Sequence, residues 1–97
     1  MTVAVDIFEQ IGGYKFIAMT GAYNLCSDNK SLSMHLKGRK TNLLTITLDE
    51  HDTYIMHFRK YKESDLTVKD VAKFEGVYAE DLQRIFTETT GLLTNLF

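Results

Sequence analysis

The sequence predicts an α+β fold: a short N-terminal helix, a meander of four or five antiparallel strands, and a C-terminal helix packed on one face of the sheet. Three observations lead to it. Thr41 to Lys62 (TNLLTITLDEHDTYIMHFRKYK) alternates apolar and polar residues on either side of a polar knot, Asp49-Glu50-His51-Asp52. That is the pattern of a hairpin with one buried and one wet face. Ser31 to Lys37 alternates in the same way. Near each end of the chain, by contrast, apolar residues recur at helical spacing and a glycine follows. With 97 residues, residues 1–97 make one domain, because two cores would each be too small to bury enough surface.

In chain order, Val3, Ile7, Phe8 and Ile11 share a helical face and Gly12-Gly13 closes the helix. Tyr14 to Met19 (YKFIAM) reads as a first strand with apolar residues in both phases, broken or bulged at Gly21. Ser27-Asp28-Asn29-Lys30 is turn chemistry. Leu32, Met34 and Leu36 then point inward from a second strand, and Ser33, His35 and Lys37 outward. A glycine turn, Lys37-Gly38-Arg39-Lys40, leads into the hairpin. There Leu44, Ile46, Leu48, Tyr54, Met56 and Phe58 face the core, while Thr45, Thr47, Ile55, His57, Arg59 and Tyr61 face away. Residues 66–77 (LTVKDVAKFEGV) fit a fifth strand ending at Gly76, with Val68, Ala72 and Phe74 on one face and Asp70 out of place among them. A helix behind Thr67 is the other reading. Val77 to Thr90 predicts the last helix, with Tyr78, Leu82, Ile85 and Phe86 on its buried face and Gly91 beyond its end.

Composition narrows the class of function. The chain is 44% hydrophobic and 25% charged, an ordinary globular balance that excludes a disordered or fibrous protein. No apolar run approaches a membrane span, and the opening MTVAVDIFEQ lacks the basic and apolar regions of a signal peptide, so a cytoplasmic location without membrane association is expected. Cys26, the single cysteine, can form no internal disulfide. The net charge of −2 is unevenly spread. Residues 30–62 carry seven Lys and Arg against three acidic residues, and residues 63–97 carry three against seven. A basic middle on an acidic chain keeps a nucleic-acid reading open while lowering its electrostatic drive.

The string Gly13-Tyr14-Lys15-Phe16-Ile17-Ala18-Met19-Thr20-Gly21-Ala22, taken with Ile46-Thr47-Leu48, Asp52-Thr53-Tyr54, Glu75-Gly76-Val77-Tyr78-Ala79 and Thr90-Gly91-Leu92, resembles a family of small proteins from tailed-phage and prophage genomes. The resemblance runs from Gly12 to Leu92 and departs at Tyr14, where the family is expected to carry asparagine. It implies a phage-type origin and a setting in the cytoplasm of a bacterial host. The family has no assigned activity, so it carries over no functional residue.

The candidate binding surface is the outward sheet face with its basic tip: His35, Lys37, Arg39, Lys40, His57, Arg59 and Tyr61. Cations interleaved with a ring on an open sheet suit single-stranded nucleic acid, since cations follow phosphates and bases stack on rings. A solvated sheet face is polar in any protein, and that plain reading stands beside it. A host protein docking on the same surface or on a sheet edge is the alternative partner. The chain has no Gly-rich phosphate loop and no Gly-x-Ser-x-Gly, so a non-catalytic binding protein with no cofactor is expected. Cys26, His35 and His57 match no zinc spacing, and Asp49, Glu50 and Asp52 span too little chain for a calcium loop. The apolar tail Leu92–Phe97 and the open sheet edges favour a homodimer over a tail folded back on its own sheet.

Overall fold

The computed structural model describes residues 3–38 and 40–92 and shows an α+β architecture. Helices α1 (Val3–Ile11) and α2 (Gly13–Thr20) precede strands β1 (Tyr23–Ser27), β2 (Ser31–His35), β3 (Leu43–Leu48), β4 (Tyr54–Lys62) and β5 (Thr67–Val77). A 3-10 turn at Ala79–Asp81 then leads into α3 (Leu82–Thr90). The strands form one antiparallel meander in the order β1-β2-β3-β4-β5. Ile7, Ile11, Phe16, Leu82 and Phe86 from the helices share one buried cluster with Leu44, Ile46, Met56 and Phe58 from the sheet. All three helices therefore cover the same sheet face, the one that strand alternation assigns to the core.

The expected first strand at Tyr14 to Met19 is helix α2. In a strand, Tyr14 and Phe16 would share a face. Instead Tyr14 is 84% exposed and Phe16 is fully buried, and the next buried residue is Thr20, one helical turn on. The Thr20 hydroxyl donates to Phe16 O (2.8 Å), and Gly21, at φ 72°, donates its N–H to Ile17 O (2.9 Å). Gly21 is thus a helix C-cap and no strand break. The first strand lies further on, at Tyr23–Ser27, and it is exposed along its length.

The predicted C-terminal helix also begins later than its pattern. Val77 is the last, buried residue of β5, and Tyr78 is extended and 60% exposed, so Tyr78 leaves the expected apolar face. Leu82, Phe86 and Thr90 carry the buried stripe. Of the apolar tail, Leu92 packs on the core, and residues 93–97 lie outside the described residues.

The fifth strand is present, and its two bulges resolve the misplaced Asp70. The ladder pairs Arg59 with Asp70 and Phe58 with Ala72, leaving Val71 as an extra residue. Val68 and Asp70 therefore face outward with Tyr61 and Arg59, while Ala72 and Phe74 face inward with Phe58 and Met56. This corrects the single face that simple alternation assigns to Val68, Ala72 and Phe74. A second irregularity, between Phe74 and Val77, holds Gly76 at φ 65° and returns Val77 to the core.

Two polar contacts tie the helices down. The Tyr54 hydroxyl donates to Gln10 Oε1 (2.5 Å), and burial first, then the Asp6 and Asp52 charges, hold its pKa above the ordinary tyrosine value. At the α1–α2 corner Gly12 adopts φ 128°, where a Cβ would stand 3.0 Å from Phe16 Cβ and 2.9 Å from Gln83 Nε2. That Gln83 amide donates to Ile11 O (2.8 Å). Gly12→Ala is expected to cost about 1–3 kcal/mol, from backbone strain at a conformation almost reserved for glycine plus displacement of this contact. Urea denaturation checks it: the midpoint should fall with the slope unchanged.

Candidate functional site

The sheet face opposite the helices contributes no residue to the core cluster. Strand pairing sets its side chains in rows that are half-buried on β2, β3 and β4 and exposed on the outer strands β1 and β5. One row runs Cys26, Ser33, Thr45, His57, Lys73, and the next runs Tyr23, His35, Leu43, Arg59, Asp70. Tyr61 and Val68 follow on β4 and β5. The alternation that buries Leu44, Ile46, Met56 and Phe58 thereby sets His35, His57 and Arg59 around Leu43 and Thr45.

The predicted site residues divide into two groups. His35, His57, Arg59 and Tyr61 share the outer face. Lys37 and Lys40 stand off the sheet, past the last β2–β3 pair, His35 with Leu43, and both are exposed. The Lys37 stem runs past Gly21, its Cδ 3.3 Å from where a Cβ on that glycine would stand. Arg39 lies outside the described residues.

Each outer-face group has a defined environment. The His35 ring packs on Tyr23 with centroids 5.3 Å apart and planes tilted by 37°. His57 Nε2 lies 2.8 Å from Asp70 Oδ1. Arg59 sits directly opposite Asp70 in the ladder, but its Nη2 instead donates to Thr45 Oγ1 (3.4 Å), on the neighbouring strand β3. Arg59 Nε is buried without an acceptor. A buried donor left unsatisfied costs on the order of 1–3 kcal/mol, so an acceptor supplied from outside would be favoured there. Beside the guanidinium a cavity of about 120 Å³ is lined by Asn24, Cys26, Ser33, His35 and Thr45.

Sequence alone misses Tyr23, Lys73 and Asp70 on this face. Tyr23 belongs to a strand that shows no burial alternation, the β5 bulge turns Asp70 to the side opposite its place in simple alternation, and Lys73 keeps the outward side that alternation gives it but sits in a charged stretch with no basic cluster to mark it. With Asp70 present, the face is less basic than the linear run of charges implies. Among the described residues, no group of three His, Cys, Asp or Glu side chains could hold a metal ion, and no helix is long and apolar enough to cross a membrane. The Asp49–Asp52 knot is the β3–β4 turn, closed by Asp49 N–H donating to Thr53 O (2.7 Å), with Asp52 at φ 62°.

A second concavity, an apolar groove of about 450 Å³, runs between α1, α2 and the β1 edge and is lined by Val5, Phe8, Tyr14, Ile17 and Leu25. No protein-family model matches the chain, and no curated protein or solved structure matches it.

Proposed function

We propose that the chain is a non-catalytic accessory protein of phage type that binds single-stranded nucleic acid across the open face of its sheet. The observation that carries this reading is the placement of Arg59. Its guanidinium stands on that face with no carboxylate within ion-pair distance among the described residues, with Tyr61 two residues on along the same strand and Tyr23 at the far end of its cross-strand row. Tyr23 on β1 and Tyr61 on β4 are three strand spacings apart, about 14 Å. A strand laid across the sheet meets a ring, a cation and a second ring in turn. Single-stranded ligands are held by such an alternation, because every base has a stacking face and every linkage a negative charge.

Fluorescence anisotropy with a labelled oligothymidine tests the reading. Affinity should fall linearly with the logarithm of salt, by a slope of about 0.7 per phosphate contacted, and a duplex of equal length should bind more weakly. Tyr23→Ala and Tyr61→Ala should each lower affinity about tenfold, within the range of one lost base–ring stack. No binding at low salt removes the proposal.

One observation favours a second reading. The apolar groove lies beside β1, an edge strand of the sheet, and an extended segment of a host protein could pair with that edge while seating apolar side chains in the groove. Such binding would be nearly independent of salt.

A further inference from the structure

We propose that the cavity beside Arg59 is a phosphate site, seating one phosphodiester of a single strand while the attached base stacks on Tyr23. This rests on the nucleic-acid reading above and narrows it to one anchoring nucleotide. The Asp70 carboxylate opposite Arg59 is engaged by His57 at 2.8 Å, and the guanidinium turns the other way, toward Thr45 on β3 at 3.4 Å. The charge is thereby carried away from the acid and toward the cavity that Ser33, His35 and Asn24 also line.

Every polar side chain there can donate a hydrogen bond, and no acidic side chain lines the cavity. With the Arg59 cation at its wall and no carboxylate to balance it, that donor set favours an anion. The planar guanidinium fork matches two oxygens of a tetrahedral oxyanion, and its buried Nε–H has no protein acceptor. A turn of the guanidinium about its stem presents that donor to the incoming oxygen.

Size decides which part of a nucleotide enters. A cavity of about 120 Å³ holds roughly four waters at about 30 Å³ each, enough for a phosphate group and too little for a sugar with its base. The base therefore stays outside. Tyr23, 44% exposed and packed on the cavity-lining His35, is the flat surface beside the mouth.

Amide and ring chemical shifts followed by NMR during titration with inorganic phosphate, thymidine monophosphate and thymidine test the site. Phosphate and the monophosphate should move Ser33, Thr45 and Arg59. The monophosphate should also move the Tyr23 ring, and thymidine should leave the cavity unmoved. Arg59→Gln should abolish the cavity shifts and weaken oligothymidine binding at least about tenfold, as loss of a charge-assisted pair of hydrogen bonds does. Thr45→Val, which keeps the charge and the volume, should weaken it less, and the melting temperatures of both variants establish that they fold. Phosphate shifts spread evenly over Lys37, Lys40 and Lys60 with a silent cavity would overturn the site while leaving oligomer binding intact. An unchanged monophosphate affinity in Tyr23→Ala would overturn the placement of the base. If the oligomer itself does not bind, the nucleic-acid reading and this inference fall together.

Discussion

Phe86→Ala is expected to remove about 3–5 kcal/mol of stability, the usual cost of truncating a fully buried phenylalanine. Phe86 has no exposed surface and touches rings from two other elements. Its centroid lies 4.9 Å from that of Phe16 on α2, near edge-on at 67°, and 6.4 Å from that of Phe58 on β4. The one side chain joins α2, the C-terminal helix and the central sheet. A small domain has only about 5–15 kcal/mol in total, so the variant should sit close to its unfolding transition. Thermal melting should show a fall of at least about 12 °C, at roughly 4 °C or more per kcal/mol for a domain of this size. Phe86→Leu should lose far less, since it keeps most of the buried volume. Because Phe16 and Phe86 share a contact, the double alanine variant should lose less than the sum of the single losses. A melting temperature unchanged by Phe86→Ala would mean that α3 is not docked on the sheet as described.

How much of this was legible in the sequence depended on whether a segment meets the core through its own periodicity. Within the strands β2, β3 and β4 the alternation has no interruption, and each inward assignment, from Leu32 to Phe58, is buried or packed on the buried cluster. The outward set follows from the same period. Tyr14 to Met19 failed because four of its six residues, Tyr14, Phe16, Ile17 and Met19, are large and apolar or aromatic, so neither a period of 2 nor one of 3.6 stands out. The helix is set by burial of Phe16 against Phe86 of α3 and the core cluster, a tertiary fact. β1 was illegible for the opposite reason: as an exposed edge strand with Asn24 at φ 51° it has no buried face to write a pattern. Asp70 looked like an error in a strand and marks a bulge, so the residue that broke the pattern was the signal. The site was half legible. His35, His57, Arg59 and Tyr61 follow from alternation, whereas the ring of Tyr23 and the counter-charge of Asp70 arrive through strands whose side or existence alternation could not give.

Asn42→Ala is expected to cost about 2–3 kcal/mol and to weaken the sheet face at the same time. The Asn42 side chain acts as one more ladder residue. Its Nδ2 donates to Tyr61 O (2.9 Å), and its Oδ1 accepts from Tyr61 N–H (2.8 Å). Its own backbone N–H donates to Arg59 O (3.1 Å), where the buried Thr41 hydroxyl also donates (2.6 Å). Thr41 and Asn42, which lead into β3, are thus pinned to the stretch of β4 that carries Arg59 and Tyr61. Alanine removes both side-chain bonds and leaves two partly buried backbone groups short of partners, which accounts for the expected loss. Asn42→Asp separates hydrogen bonding from volume. Its ionised carboxylate can still accept from Tyr61 N–H but turns an acceptor toward Tyr61 O, so only the protonated acid restores the donor. The folded state then holds that proton more tightly than the unfolded chain, and the carboxyl pKa is raised on folding. The restored stability should be fully present below about pH 4, the unfolded carboxyl value, and be lost as pH rises through the higher folded value. Urea denaturation at both ends of that window, with the wild-type chain in parallel, reads the difference. A pH-independent difference between Asn42→Asp and wild type would mean that the amide does not bridge the Tyr61 backbone. If it does bridge it, the same variants should bind oligothymidine more weakly in proportion to their lost stability, because the ladder that Asn42 extends is what holds Arg59 and Tyr61 at their spacing on the open face.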